Sequence, residues 1–311
     1  MIGAKRIVIA GGSGFIGRAL AAAFSARGFA VTVLTRSPRE RGDGVREVAW
    51  NGEHLGEWIQ SLDGAQAVIN LTGKNINCPH TPENMDALIA SRVNSVRIIA
   101  TAFEHVKIPP RVWVQASATG FYGDTGDQIC NEAASAGDNH LAEICRHWEG
   151  AFHVAKVPAT RKVVLRIGFV LGRDGGALPV LGRLTRYFLG GAAGGGKQFV
   201  SWIHLTDLVR MFVTAAECER FGGTFNAVAP DALTNAEFMR ALRRALHRPW
   251  SPPVPEFMIR IGCELTGSEP ALALTSSRCV PERFLGGEFK FQFPKLAAAL
   301  KDLCGKADFK K

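Results

Sequence analysis

The fold of this chain is indicated by one glycine-rich stretch near its start, Gly11-Gly12-Ser13-Gly14-Phe15-Ile16-Gly17. An apolar run over residues 5–10 precedes this stretch, and residues 15–27 continue with apolar side chains at helical spacing. A glycine turn between a strand and a helix directs backbone N–H groups and the positive end of the helix dipole at a phosphate. The spacing therefore predicts a turn that holds the pyrophosphate of a dinucleotide.

Three glycines of this turn have separate expected roles. Gly11 permits the tight turn, Gly14 lets the backbone approach the pyrophosphate, and Gly17 lets the helix pack closely on the strand. The first N–H groups of the helix are expected to face the phosphates. The predicted cofactor-binding residues of the turn are Gly11, Gly14, Phe15, Ile16 and Gly17.

Further along the chain, apolar strands alternate with helical patterns, of which the longest cover residues 84–104 and 139–155. Strands that are apolar throughout and separated by helices indicate a parallel sheet covered on both faces. The predicted fold class is therefore α/β, a Rossmann doubly wound parallel sheet. The predicted strands are residues 5–10, 30–35, 45–50, 65–71, 111–117, 161–168 and 223–229.

The sequence also predicts a second, smaller region. The Rossmann domain is expected to comprise residues 1–172 and about 199–246, with a smaller, mostly helical substrate-side region formed by about 173–198 and 247–311. Residues 190–196 are all glycine or alanine, which is typical of a flexible linker or of a loop that orders over a ligand.

Arg36 directly follows the second predicted strand, about 20 residues beyond the glycine turn. Proteins that bind NAD usually carry an acidic residue at this position, which bonds the adenosine ribose. An arginine can instead hold a 2′-phosphate through paired N–H groups. Arg36 therefore favours NADP(H) as the cofactor.

Composition excludes several other classes of protein. No stretch of eighteen apolar residues is present, and the start lacks a signal-peptide pattern, so we expect a cytoplasmic protein without a membrane span. The seven cysteines are widely spaced and contain no CxxC pair, which argues against a disulfide framework or a metal site. The net charge is +9, but the basic residues are scattered and accompany no nucleic-acid-binding motif, so we expect no nucleic-acid partner.

With the glycine turn and Arg36, the chain resembles the extended short-chain dehydrogenase/reductases, the NAD(P)-dependent epimerase/dehydratase superfamily. Closer still is an atypical bacterial and mitochondrial branch whose members carry names such as sugar-nucleotide epimerase or cell-division inhibitor. The resemblance implies cofactor contacts at Leu71, Thr72, Gly73, Ser117 and Ile167. It rests on residues 70–73, 117–123, 145–149, 165–172 and 199–208, and on a C-terminal helical extension from about residue 254.

The chain departs from that superfamily at its catalytic positions. No Tyr-x-x-x-Lys is present, and Cys145 and Glu149 occupy the corresponding places. The usual Ser or Thr aligns with Ala118, which lies between Ser117 and Thr119. A glutamate beside a cysteine raises the thiol pKa rather than lowering it, so the pair is no electrostatic substitute for Tyr and Lys. The candidate catalytic residues are Ser117, Tyr122, Cys145 and Glu149.

Two functions remain open from the sequence. The first is an NADP(H)-dependent oxidoreductase or epimerase that acts on a small-molecule substrate and uses a non-standard acid or base. One option for this substrate is a molecule that carries a nucleotide or a phosphate group. The second is a catalytically silent protein that senses NADP(H) or binds a partner. Either a monomer or a homodimer fits the sequence. Lys74 and Arg92 are further candidates for contact with a substrate. The alternative for Lys74 is a solvated side chain, and the alternative for Arg92 is a structural role.

Overall fold

The protein is described here by a computed structural model that covers residues 5–305. Residues 1–4 and 306–311, which include the ends of the two predicted regions, lie outside the described residues. The strands in chain order are β1 (Arg6–Ala10), β2 (Ala30–Thr35), β3 (Arg46–Ala49), β4 (Ala67–Asn70), β5 (Val112–Ala118), β6 (Ile129–Cys130), β7 (Arg161–Ile167), β8 (Phe169–Leu171), β9 (Phe199–Val200), β10 (Trp202–His204), β11 (Gly223–Ala227), β12 (Leu233–Thr234) and β13 (Arg278–Cys279).

The helices follow the same chain order. They are α1 (Phe15–Ala26), α2 (Pro82–Phe103), α3 (His140–Val154), α4 (Leu178–Arg186), α5 (Leu205–Glu217), α6 (Asn235–Ala245), α7 (Glu256–Thr266), α8 (Ala271–Leu274), α9 (Glu282–Gly286) and α10 (Leu296–Cys304).

Seven strands form one sheet in the order β3-β2-β1-β4-β5-β7-β11, and every neighbouring pair is parallel. Helix α2 packs on α3, and α1 packs on α5, so two helical layers enclose the sheet. On the α2–α3 side, the fully buried Trp113 ring lies 4.7 Å from Phe152 and 5.3 Å from Phe103, between ring centroids. The predicted α/β doubly wound fold is confirmed, as is the helical character of the C-terminal part, where α7 to α10 lie.

The glycine-rich segment at residues 190–196 packs against residues 252–254 and is therefore no flexible linker, while its ordering over a ligand stays a prediction. Gly194 donates its N–H to the Val254 carbonyl, and Val254 donates to the Ala192 carbonyl, both at 2.8 Å. A Cβ at Gly191 would overlap the Pro252 carbonyl. Glycine is therefore needed here because two backbone segments lie against each other.

The start of α5 holds the C-terminal chain in place. The His204 ring caps this helix by accepting the Thr206 N–H at Nδ1, and it stacks on Phe293 with 4.0 Å between centroids. The His204 Nε2 atom lies 3.5 Å from an Asp302 carboxylate oxygen on α10. The buried Asp207 carboxylate accepts the N–H groups of Gln292 and Phe293, both at 2.8 Å.

This arrangement makes part of the stability depend on pH. Burial lowers the pKa of His204 below its ordinary value, although the Asp302 carboxylate acts in the opposite direction. A histidine with a lowered folded-state pKa stabilises the protein above its unfolded pKa, and this contribution is lost as the pH falls through the folded-state pKa. Protonation at Nδ1 would also remove the acceptor that caps α5.

We predict that His204→Asn, which retains a good helix-capping side chain and cannot titrate, reduces the acid sensitivity of folding. The measurement is urea unfolding of both proteins at about pH 7.5 and about pH 5. The wild type should lose more unfolding free energy between these conditions than the variant. An equal loss in the two proteins would contradict the assignment.

Candidate functional site

The glycine turn closes against the end of β4. Gly11 has a φ of +73°, a backbone conformation that L side chains rarely adopt. A Cβ at Gly11 would lie 3.1 Å from the Thr72 nitrogen and 3.2 Å from the Leu71 carbonyl carbon. The turn after β1 and the chain after β4 are thus in contact at the carboxyl edge of the sheet, where open α/β sheets bind ligands.

The first turn of α1 has no side-chain cap. Gly14 is the N-terminal cap residue, no side chain caps the helix, and its first turn carries no acidic residue. Apart from its chain neighbours, a Cβ at Gly14 would have only the Gly11 carbonyl oxygen within 4 Å among the described residues, at 3.7 Å. Uncapped N–H groups beside such an open position fit an anionic group such as a pyrophosphate.

Gly17 differs from its sequence-based assignment. A Cβ there would overlap Gly12, so Gly17 packs against the glycine turn itself rather than against a strand. Gly12 makes the strand contact instead, because its own Cβ would lie 2.8 Å from the Val33 side chain on β2. Close packing of the helix on the sheet therefore requires two glycines, Gly17 against Gly12 and Gly12 against Val33.

Phe15 packs into the loop that follows β8. Its half-buried ring would overlap a Cβ at Gly172 or at Gly175, and a Cβ at Gly176 would lie 3.4 Å from it. Residues 172–176 can therefore close over the ring because they contain these glycines. The Phe15 side chain fastens the glycine turn to the rest of the domain, which leaves its backbone N–H as the group available to a ligand.

Arg36 lies exposed at the carboxyl end of β2, beside the glycine turn. Within residues 5–305 it has no ion-pair partner, whereas nearby Arg41 pairs with Asp43 and Glu47 at 2.5 and 3.2 Å. The Glu47 carboxylate also accepts the backbone N–H of Arg39, at 3.0 Å. Asp43 and Glu47 are thus engaged elsewhere, and the Arg36 guanidinium is available to an external anion.

The chain after β4 is held by a buried amide. Asn70 is fully buried, accepts the Thr72 N–H at 3.0 Å and donates to the side chains of Ser95 and Gln115. This fixes the backbone of Leu71, Thr72 and Gly73 beside the glycine turn. Ile167, the last residue of β7, lies half-buried at the same edge of the sheet.

Three neighbouring strands place polar side chains in one row. Ser117 on β5 and Asn226 on β11 both pair in register with Arg166 on β7. All three residues are at most 5% exposed. Since residues in register on parallel strands point to the same face, the row forms a polar layer inside an apolar core.

Glu149 on α3 completes this layer with its carboxylate. Its Oε1 atom accepts the Ser117 hydroxyl at 2.6 Å and the Arg166 Nε at 2.9 Å, and its Oε2 atom accepts the Arg166 Nη2 at 2.8 Å. The pair is bidentate, and both side chains are at least nine-tenths buried. A buried charge pair is stable only when its hydrogen-bonding capacity is satisfied, as it is here.

Tyr122 is bound to the other side of Arg166. Its hydroxyl accepts from the Arg166 Nη1 at 2.9 Å and donates to the Asn226 Oδ1 at 2.7 Å. Burial raises the pKa of Tyr122 well above its ordinary value, in spite of the adjacent Arg166 guanidinium. The phenol is therefore protonated at neutral pH, and its proton is already engaged.

Cys145 lies outside this network, one helical turn before Glu149. Its thiol contacts the Ala118 carbonyl, with 3.8 Å from Sγ to oxygen. Burial, together with the Glu149 carboxylate, raises the pKa of Cys145 to about 11. The thiol is therefore neutral near pH 7, in agreement with the electrostatic argument from the sequence.

The structure thus brings three of the four candidate catalytic residues into one network and leaves Cys145 beside it. Sequence reasoning missed the centre of that network, Arg166, and its partner Asn226. The signal for Arg166 was the pattern Leu165-Arg166-Ile167-Gly168, which carries a charged residue in an otherwise buried strand. A lone buried arginine needs a carboxylate partner, but the pattern does not say which one.

The described residues carry neither a metal cluster nor a membrane-spanning helix. Within residues 5–305, no group of three or more His, Cys, Asp or Glu side chains is placed to hold a metal ion. None of the helices described there combines the length and apolar character that a membrane span requires.

Comparisons with known proteins agree with this geometry. The model of the NAD dependent epimerase/dehydratase family matches residues 7–227, and that of a domain of unknown function, DUF1731, matches residues 254–303. The chain is 34% identical over 305 residues to the human epimerase family protein SDR39U1, covering 96% of this chain and 99% of that protein.

Two solved structures share the whole fold. A crystal structure of human SDR39U1 with NADPH has a TM-score of 0.87 at 31% identity and covers 97% of this chain and 100% of its own. The nucleoside-diphosphate sugar epimerase from Corynebacterium glutamicum has a TM-score of 0.78 at 29% identity. That match covers 97% of this chain and 59% of the Corynebacterium chain.

We predict that Arg166→Met destabilises the protein by about 3–5 kcal/mol, because it leaves the Glu149 carboxylate buried without a cation. The double variant Glu149→Leu, Arg166→Met should lose less, since it removes both charges. The measurement is the free energy of urea unfolding. Arg27→Met, which breaks the exposed ion pair with Glu217, is the matched control and should cost at most about 1 kcal/mol. An Arg166→Met variant as stable as this control would refute the structural importance of the buried pair.

Proposed function

The chain belongs to the NAD dependent epimerase/dehydratase family, and we propose that it is an NADP(H)-dependent oxidoreductase of that family that works without a Tyr–Lys pair. One observation supports this most strongly: the uncapped start of α1 faces open space at Gly14, with the unpaired Arg36 close by. The crystal structure of the human relative, which is described as a complex with NADPH, supports the same cofactor.

The proposed cofactor site follows the edge of the sheet. The pyrophosphate would lie on the N–H groups at the start of α1, and the 2′-phosphate would lie on the Arg36 guanidinium. NADPH supplies a hydride to a carbonyl carbon, or NADP⁺ accepts one from an alcohol carbon. The residues proposed to hold the cofactor are Gly11, Gly14, Phe15, Ile16, Gly17, Arg36, Leu71, Thr72, Gly73, Ser117 and Ile167.

The candidate catalytic residues receive two kinds of role in this proposal. Ser117, Tyr122 and Glu149 are positioning residues, because each of them is hydrogen-bonded within the Arg166 network. They hold the ends of β5 and β7 beside the reacting atoms. Cys145 takes the place of the family's tyrosine as a neutral thiol whose hydrogen is directed at the Ala118 carbonyl.

The proposed substrate is a small molecule that carries a nucleotide or a phosphate group. The Corynebacterium relative is described as a nucleoside-diphosphate sugar epimerase, which supports this class. We also propose a cytoplasmic location, supported by the seven cysteines, all of which are free in the structure.

A second candidate function is a catalytically silent protein that senses NADP(H) or binds a partner. The observation in its favour is that Ser117, Tyr122 and Glu149 are all hydrogen-bonded within the Arg166 network, and that the pair at the usual Tyr and Lys positions is Cys145 and Glu149. A silent protein would bind the cofactor equally well, so the two functions separate only when hydride transfer is measured.

Arg36→Ala should weaken NADPH binding by about tenfold or more and leave NADH binding nearly unchanged, because only NADPH carries the 2′-phosphate. The measurement is a fluorescence titration with each nucleotide. Arg111→Ala is the control, because Arg111 is an exposed arginine before β5, at the opposite edge of the sheet. An equal loss for both nucleotides in Arg36→Ala would count against the predicted specificity.

Hydride transfer can be tested without knowing the substrate in advance. The protein is incubated with NADPH deuterated at the nicotinamide C4, together with a panel of nucleotide sugars and phosphorylated carbonyl compounds. We expect deuterium in at least one product by mass spectrometry. Gly14→Asp, which places a carboxylate where the pyrophosphate would lie, should abolish this transfer.

The two functions predict different results in this experiment. If the wild type binds NADPH but labels nothing in the panel, the oxidoreductase proposal is weakened in favour of the silent protein. Recovery of a partner protein only in the presence of NADPH would then support the sensing function directly. Labelling that persists in Gly14→Asp would show that the transfer does not depend on the proposed site.

A further inference from the structure

One buried cation has no part in the network described above. Arg92 lies in the middle of α2, and only 8% of its surface is exposed. Its guanidinium lies over the Trp148 ring, with 5.0 Å from Cζ to the centroid. Burial lowers the pKa of Arg92, although arginine keeps its charge at any physiological pH.

The groups that accept hydrogen bonds from Arg92 are uncharged backbone carbonyls. Nη1 donates to the Leu88 carbonyl at 2.9 Å and Nη2 to the Lys74 carbonyl at 3.1 Å. A guanidinium has five N–H groups, so these two bonds orient the side chain and leave hydrogen-bonding capacity unused.

No acidic group of the described chain neutralises this charge. Arg92 forms no ion pair within residues 5–305. The nearest buried carboxylate of α3, Glu149, is committed to Arg166. The adjacent thiol of Cys145 is neutral, because its pKa is raised to about 11. A cation buried in this way is costly unless an anion pairs with it.

The position of Arg92 connects it to the proposed reaction site. A Cβ at Gly73 would lie 3.0 Å from the Arg92 Cζ, so the guanidinium borders the chain after β4. On its other side is Cys145, which takes the place of the family's tyrosine and contacts Ala118. Arg92 therefore lies between the two segments that would enclose the nicotinamide.

We propose that Arg92 binds an anionic oxygen group of the substrate, a carboxylate or a phosphate, next to the carbon that exchanges hydride. The planar guanidinium matches both groups through paired N–H bonds. The inference rests on the proposed function, because it places this anion beside the bound cofactor.

Lys74 is the alternative cation at this position. Its side chain is exposed, and its ammonium donates to the Asn84 Oδ1 at 2.6 Å, which directs it toward the start of α2. An exposed, flexible ammonium contributes less to anion binding than a buried and oriented guanidinium. The buried Arg92 is thus the stronger candidate.

The test uses two probes, oxamate for a carboxylate and inorganic phosphate, each titrated into the protein with and without saturating NADPH. Binding is followed by calorimetry, and in the cofactor complex also by NADPH fluorescence. We expect one of the probes to bind the wild type, and Arg92→Met to weaken that probe by about tenfold or more. The probe that binds identifies the group as carboxylate or phosphate.

Two further variants separate recognition from folding. Arg97→Met, an exposed arginine further along the same helix, is the matched control and should bind both probes as the wild type does. Arg92→Lys keeps the charge but loses the paired geometry, so it should bind the probe with intermediate affinity. The affinity for NADPH should stay within about twofold of wild type in all three variants, which a general loss of structure would not allow.

The outcomes are distinct. The proposal is overturned if neither probe binds the wild type, or if Arg92→Met binds the probe as tightly as the wild type does. If Arg92→Met fails to fold, an unchanged probe affinity in Arg92→Lys overturns it as well. If the wild type binds no NADPH, the proposed function fails, and the titrations without cofactor still decide whether Arg92 binds an anion.

Discussion

The buried ion pair between Glu149 and Arg166 is the constraint on which the rest of this site depends. Two charges inside a core must satisfy each other and all of their hydrogen-bonding groups, or folding becomes unfavourable. Here the pair does so by engaging Ser117, Tyr122 and Asn226 on neighbouring elements. The same bonds join α3 to three adjacent strands of the sheet.

That constraint separates two parts of the proposed site, the cofactor cradle and the residues that are candidates for proton transfer. The proposed cofactor cradle consists of backbone groups at the start of α1 and after β4, which lie outside the ion pair. Ser117, Tyr122 and Glu149, three of the candidate catalytic residues, are instead hydrogen-bonded within the buried network. Under the proposed function the chain therefore binds its cofactor without a Tyr–Lys pair, and Arg92 is the buried cation proposed to lie beside the reacting atoms.

Much of the fold was predictable from the sequence, because it follows from local patterns. The glycine turn, the apolar strands and the helices between them appear where periodicity places them. The packing of residues 190–196 was not predictable, because composition cannot reveal that two backbone segments lie against each other. The polar network was missed for a similar reason: Ser117, Arg166 and Asn226 are far apart along the chain, and only the strand register brings them into one row.

A crystal structure of this protein with NADPH would test the central claim most directly. The account predicts the pyrophosphate at the start of α1 and an intact ion pair, with 2.8 Å between the Glu149 Oε2 and Arg166 Nη2 atoms. A structure in which Glu149 has left Arg166 and bonds the nicotinamide ribose would contradict it. In that case the carboxylate would belong to the reaction site rather than to the framework that supports it.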